Sequence, residues 1–182
     1  MKESILFWPV HIKGKALYIL DETRIPQKVV YLKIGDHKEA IRAILDMKTR
    51  AFGQFLTVCY TFILELNKAK DKTKEEQMGI LGNVAEAFNK SRPTFPFEEV
   101  TSMVLGFARK AYTNPNFADD FIKALYGFLE QGIRLKRYKR AEEASKLVKD
   151  GDAILTHCHV SGEMSLIGEF CRRDGKHIKF FA

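Results

Sequence analysis

The chain is poor in cysteine and has no long apolar run. Its three cysteines, Cys59, Cys158 and Cys171, form no CxxC pair and are odd in number among 182 residues. That argues against a disulfide framework and against a structural zinc site. No apolar stretch approaches the roughly 20 residues that a membrane-spanning helix needs, so no membrane partner is expected. The opening MKESILFWPV lacks the basic-then-apolar layout of a secretory signal, and the expected location is cytoplasmic. What the chain does have is a 46% hydrophobic composition, enough for one full core or for one domain plus part of another.

A formal net charge of +7 suits nucleic acid, an anionic membrane or a phosphorylated small ligand, and does not choose among them. The densest basic run is Arg134, Lys136, Arg137, Lys139 and Arg140, with Glu142 and Glu143 directly after it. Leu135 and Tyr138 sit three apart within the run, so it reads as a solvated helix face beside a buried stripe. RNA binding is the lesser alternative.

Residues Ala16–Leu20 and Lys28–Ile34 are rich in β-branched and aromatic residues around a turn at 21–26, which predicts a small β appendage over residues 1–35. Residues 36–150 read as a helical domain. Asp36 with Glu39, and Thr73 with Glu76, are capping-box signals opening helices toward Lys48 and Asn89. Gly53 marks a break before a buried helix over Phe55–Leu66. Val100, Met103, Val104 and Phe107 define another helix, broken at Asn114-Pro115. Phe117–Lys149 reads as one long helix, or two with a bend near Gly127 or Gly132. Residues 151–182 then change character: a strand over Ala153–Thr156, a helix over Ser161–Arg173 and a strand over His177–Phe181 form one parallel βαβ unit. The fold class is α/β, mainly helical in front and leading into the first unit of an incomplete Rossmann-like sheet. Two parallel strands leave faces and edges uncovered, so the polypeptide is expected to continue.

In open α/β sheets ligands gather at the carboxyl ends of strands, where the next helix offers free N–H groups. Here that place is Thr156-His157-Cys158-His159-Val160-Ser161-Gly162. Cys158 at a helix start is a candidate for a lowered thiol pKa, the alternative being a half-buried structural cysteine. His157 and His159 flank Cys158, and no metal is assigned to them. Arg50 beside Ala51 and Gly53, and Arg92 in Ser91-Arg92-Pro93-Thr94, place guanidinium forks in loops, a chemistry suited to phosphate.

Taken in order, these motifs resemble a family containing methylthioribose-1-phosphate isomerase, ribose-1,5-bisphosphate isomerase and the regulatory subunits of the translation-initiation guanine-exchange factor. The matching pieces are Gly14–Pro26 with its Asp21 and Pro26, Asp46–Arg50, Ser91–Thr94 and Asp150–His159. The resemblance covers nearly the whole chain as the amino-terminal half of such a protein. It implies a helical domain before a Rossmann-like one, and aldose-to-ketose isomerisation of a sugar phosphate. Cys158 would be catalytic, and Arg50, Ala51, Arg92, Ser161 and Gly162 would bind phosphate. It implies no cofactor, a second catalytic group beyond Ala182, inactivity of these 182 residues alone, and a homodimer in the full-length form. The chain departs from the family at Ala51-Phe52 and at Val160–Glu163, where Glu163 would bring a negative charge near a phosphate. A non-catalytic, ligand-sensing subunit is the rival reading.

Overall fold

The computed structural model describes residues 3–91, 95–158 and 160–181. The chain divides into two compact units, residues 9–126 and residues 1–8 with 127–182, each described here by itself.

The first unit opens with an antiparallel meander of β1 (Val10–Lys13), β2 (Ala16–Leu20) and β3 (Tyr31–Ile34), with β2 in the middle. Strand alternation divides its faces. Val10, Leu17, Ile19 and Ile34 are buried, whereas Tyr18 stacks on His11 across the β1–β2 pair. The sequence reading contained no β1 and began β3 three residues early. VHIK is too short and too mixed in polarity to stand out without its partner strand.

Four further helices surround α2 (Ala51–Lys68): α1 (His37–Leu45), α3 (Lys74–Asn89), α4 (Phe97–Ala111) and α5 (Phe117–Gly127). α2 touches β1, β2, α1, α3 and α4, and Tyr60 meets Tyr126 of α5 edge-on. This explains a helix that is apolar all round. Leu56, Val58, Phe62, Ile63 and Leu66 are fully buried, at about 1.5–3 kcal/mol of transfer free energy each. Its buried Thr57 and Thr61 are satisfied locally, donating to the carbonyls of Gly53 and Thr57.

Gly53 corrects an expectation. It does not break the chain but lies in the first turn of α2, where an added Cβ would stand 1.9 Å from Thr49 Oγ1. The glycine is required by close approach rather than by a turn. Thr73 and Glu76 form the expected reciprocal box, whereas at α1 only half of it is made, with Asp36 accepting from the Glu39 N–H. Glu39 itself reaches past Asp36 to the Gly35 N–H.

In the second unit, a π-helical segment at Phe128–Arg134 leads into α6 (Leu135–Leu147). The irregularity begins directly after Gly127 and contains Gly132, the two glycines near which a bend was expected. α6 packs on α7 (Glu163–Arg173) through Phe7, Ala141, Leu166, Ile167, Phe170 and Cys171. β4 (Ala153–Leu155) pairs in parallel with β5 (Lys179–Phe181). The predicted buried stripe of α6 is corrected. Leu135 is exposed, and the buried positions are Arg137, Ala141 and Ser145, spaced by four, with Tyr138 packed beside them. The helix predicted from Ser161 begins at Glu163, because Ser161 and Gly162 both take left-handed backbone. The whole is mixed α/β and mainly helical, and among the described residues no helix is long and apolar enough to cross a membrane.

Candidate functional site

The sequence-predicted residues fall into both units. Arg50 and Ala51 belong to the first; Cys158, Ser161 and Gly162 belong to the second. Arg92 and His159 lie outside the described residues.

At the end of α1 the chain turns through Met47 (φ 54°), with Met47 N–H donating to Ile44 O and Lys48 N–H to Ala43 O. These two bonds are the Schellman pattern that closes a helix, here with a methionine in the left-handed position. The turn delivers Lys48-Thr49-Arg50 to the start of α2. Glu22 lies against them: its Oε1 accepts from Thr49 Oγ1 at 3.0 Å and from the Arg50 N–H at 2.9 Å. The Glu22 N–H donates to Lys48 O at 2.8 Å. Beside it, Asp21 is buried, which opposes its ionisation, but hydrogen bonds from Thr23 and the charge of Lys48 outweigh this and lower its pKa. Arg50 is exposed, and its guanidinium makes no ion pair among the described residues. This corner can hold an anion, and a carboxylate of the chain already lies in it.

In the second unit, Thr156 directly follows β4; its N–H continues the parallel ladder to Phe181 O at 2.8 Å and its hydroxyl donates to Cys158 O. Cys158 follows and is exposed, whereas Cys59 and Cys171 are buried in α2 and α7. His157 is exposed as well. Next come Ser161 (φ 51°) and Gly162 (φ 75°), which turns the chain into α7. A Cβ on Gly162 would stand 2.9 Å from Phe7 N, so the turn is pressed against the backbone of residues 4–7.

This turn is held from behind by a cluster that sequence reading missed. Arg137 donates to Phe7 O at 2.7 Å and to Ser161 O at 3.0 Å, and its guanidinium lies over the Phe7 ring. Glu163 is buried and takes two bonds from Arg140, of 2.6 and 2.7 Å, with Arg137 at 3.6 Å. Burial pulls the Arg137 guanidinium down from its usual pKa while Glu163 opposes that shift. The Arg140 pKa is raised by its bonds to Glu163. The negative charge expected near a phosphate is therefore matched internally. Arg134 likewise pairs with Glu3 and Glu130, so three cations of the basic run serve internal contacts. No signal within the run itself identifies Glu3, Phe7 or Glu163, which lie 131, 130 and 23 residues from their partners.

No family model matches the chain. Among curated relatives, it is 26% identical over 153 residues to methylthioribose-1-phosphate isomerase 1 of Pseudothermotoga lettingae, covering 80% of this chain and 42% of that protein. It is 25% identical over 201 residues to the methylthioribose-1-phosphate isomerase of Desulforudis audaxviator, covering 100% and 53%. Two solved structures share the fold. The 5-methylthioribose 1-phosphate isomerase of Pyrococcus horikoshii gives a TM-score of 0.77 at 18% identity, across 93% of this chain and 50% of that one. The delta subunit of translation initiation factor eIF-2B from A. fulgidus gives 0.76 at 20% identity, across 95% and 53%. The chain spans about half the length of the curated relatives it matches. The chain is thus similar in sequence to methylthioribose-1-phosphate isomerases and in fold to one of them and to an eIF-2B subunit, and the half-length match fits the amino-terminal half of such proteins.

Proposed function

We propose that this chain forms part of a sugar-phosphate aldose-ketose isomerase acting on a pentose with phosphate on C1, of the methylthioribose-1-phosphate or ribose-1,5-bisphosphate type. In this reading β4, α7 and β5 are the first βαβ unit of a Rossmann-like sheet. The observation that carries it is Cys158: an exposed thiol just past a parallel strand and before the left-handed turn into α7. That is the strand end at which open α/β sheets bind ligands.

The phosphate on C1 blocks spontaneous ring opening. An acid must protonate the ring oxygen, after which hydrogen passes between C2 and C1 by proton or hydride transfer. Cys158 is one partner in this exchange. The other belongs to the part of the fold that these 182 residues do not span, so the chain alone is expected to be inactive. Arg50, Ala51, Arg92, Ser161 and Gly162 are the proposed phosphate contacts. The paired charge of Glu163 supports a role for it in holding the Ser161-Gly162 turn rather than in repelling substrate.

The test is turnover of methylthioribose-1-phosphate and ribose-1,5-bisphosphate by a full-length protein carrying this half, with Cys158→Ser beside it. Loss of turnover with retained folding and binding supports the assignment. Full activity in Cys158→Ser sinks the mechanistic role, and binding without any turnover by the unaltered protein returns the reading to a ligand-sensing subunit.

A further inference from the structure

We propose that the hollow at the carboxyl end of α2 is a binding site for a small aliphatic hydroxy acid, with the carboxylate on Lys72, the hydroxyl on His37 and the aliphatic body against Ile80 and Val84. It stands apart from the isomerase reading and does not depend on it.

Among the residues that α2 buries, Glu65 alone is charged. Taking a carboxylate out of water is costly unless donors meet it, and here they do. The His37 N–H reaches Glu65 Oε1 at 2.6 Å, His37 Nδ1 reaches the same oxygen at 2.9 Å, and Lys68 Nζ reaches Oε2 at 3.1 Å. The backbone bond ties down the first turn of α1, and a simple tether would need no more than that. The ring bond goes further. A carboxylate can only accept, so Nδ1 carries the hydrogen, and Nε2 of the neutral imidazole is left as an acceptor on an oriented ring.

A hollow of about 290 Å³ is lined by His37, Glu65 and Lys68, by the aliphatic Ile80 and Val84, and by the exposed Lys72 and Asn83. This is the lower end of the size range of small-molecule sites, and a mainly apolar lining with a few polar groups is their usual composition. Lys68 and the two His37 donors meet the charge of Glu65. The Lys72 ammonium, the Asn83 side-chain amide and His37 Nε2 make no hydrogen bond or ion pair among the described residues. Lys72 acts at a distance on Glu76, and Lys68 and His37 on Asp36, but both carboxylates are occupied as caps by the N–H groups of Thr73 and Glu39. One cation without an ion-pair partner suits a monoanion better than a dianion. The imidazole acceptor calls for a hydroxyl, and the aliphatic wall for a hydrocarbon body rather than a sugar. A short aliphatic hydroxy acid meets all three requirements.

The experiment is a titration of the isotope-labelled chain with leucic acid, isocaproic acid and inorganic phosphate, following the methyl groups of Ile80 and Val84 and the side-chain amide of Asn83. Leucic acid carries a hydroxyl that isocaproic acid, otherwise the same, lacks. We expect leucic acid to bind roughly 2- to 10-fold more tightly, the worth of one hydrogen bond. Phosphate should leave the methyl groups unmoved. His37→Phe keeps a ring and the backbone bond to Glu65 but has no ring acceptor, and should bring the two acids to equal affinity. Lys72→Gln, at an exposed position, should weaken both acids by roughly 2- to 5-fold, the range of a surface ion pair. The proposal is overturned by the absence of a saturable shift with leucic acid, by equal affinities for the two acids in the unaltered chain, or by phosphate binding more tightly than either. Unchanged binding in Lys72→Gln, or a retained hydroxyl preference in folded His37→Phe, overturns it as well. Should His37→Phe not fold, the comparison of the two acids on the unaltered chain and on Lys72→Gln still decides. Failure of the isomerase reading shows instead in the Cys158→Ser turnover assay.

Discussion

Arg140 holds the buried carboxylate of Glu163 through two bonds, of 2.6 and 2.7 Å, although the residues are 23 positions apart in the chain. Arg137, itself buried, shares the same carboxylate at 3.6 Å. Removing one partner of such a cluster strands a charge away from water. Glu163→Ala should therefore cost about 3 kcal/mol of unfolding free energy. Chemical denaturation measures this directly, and a loss below about 0.5 kcal/mol, the level of an ordinary surface pair, would mean that the cluster is not holding the turn.

Gly162 and Gly175 form a matched pair for testing the turn before α7. Both are left-handed, at φ 75° and 74°, but an added Cβ at Gly175 meets nothing within 4 Å, whereas at Gly162 it meets Phe7 N at 2.9 Å. Gly175→Ala should cost about 1 kcal/mol, the conformational penalty alone. Gly162→Ala should cost about 2–4 kcal/mol, because backbone must shift to make room. Equal losses in the two melting curves would contradict the packing described for residues 4–7.

The three thiols should separate cleanly under brief iodoacetamide treatment of the folded chain. Cys158 is exposed, whereas Cys59 and Cys171 are buried, and burial pushes both of their thiols up in pKa. Fewer thiolates and no access give two reasons for slow reaction. Peptide mass spectrometry should find Cys158 modified first. Modification of Cys59 or Cys171 at the same rate under folding conditions would contradict the burial.

Asp36 gives a pH-dependent prediction with a definite sign. Its carboxylate accepts from the Glu39 N–H at 2.9 Å, and this bond, outweighing the effect of burial, holds its pKa below the ordinary 3.8. A depressed carboxylate stabilises the fold above its unfolded pKa, and that stability is lost as pH falls through the folded value. Asp36→Ala should cost about 1 kcal/mol at neutral pH, and the difference from wild type should shrink below pH 3.8. Asp36→Asn keeps an uncharged cap and should show a flatter profile. A constant difference across that range would rule out the ionised cap.

Local signals in the sequence were reliable where the physics is local. Thr73 and Glu76 close on one another within a single turn, so the start of α3 could be read from four residues. The left-handed turn at Met47 could not. Nothing in Asp46-Met47-Lys48 favours positive φ, and the conformation is held by the bonds that end α1. Gly53 was visible as a glycine, but its reason was not, since Thr49 and Glu22 must first be brought against it.

The candidate site divides in the same way. Cys158 was legible because a short apolar run, a cysteine and a following helical pattern mark a strand end by themselves. Glu22, Arg137 and Arg140 were not: each is an ordinary charged residue in a turn or on a helix, and its partner lies 23 to 130 residues away. By itself the sequence determined the order of the helices and of the strands after β1, the N-terminal caps of α1 and α3, and the position of the thiol, because these follow from backbone propensity and apolar spacing over a few residues. Only the tertiary structure decided which charges are spent internally. Burial removes water from Glu163 and Arg137, and chain folding brings Glu22 to the start of α2, so each charge is satisfied by whichever opposite group or donor the fold places within reach.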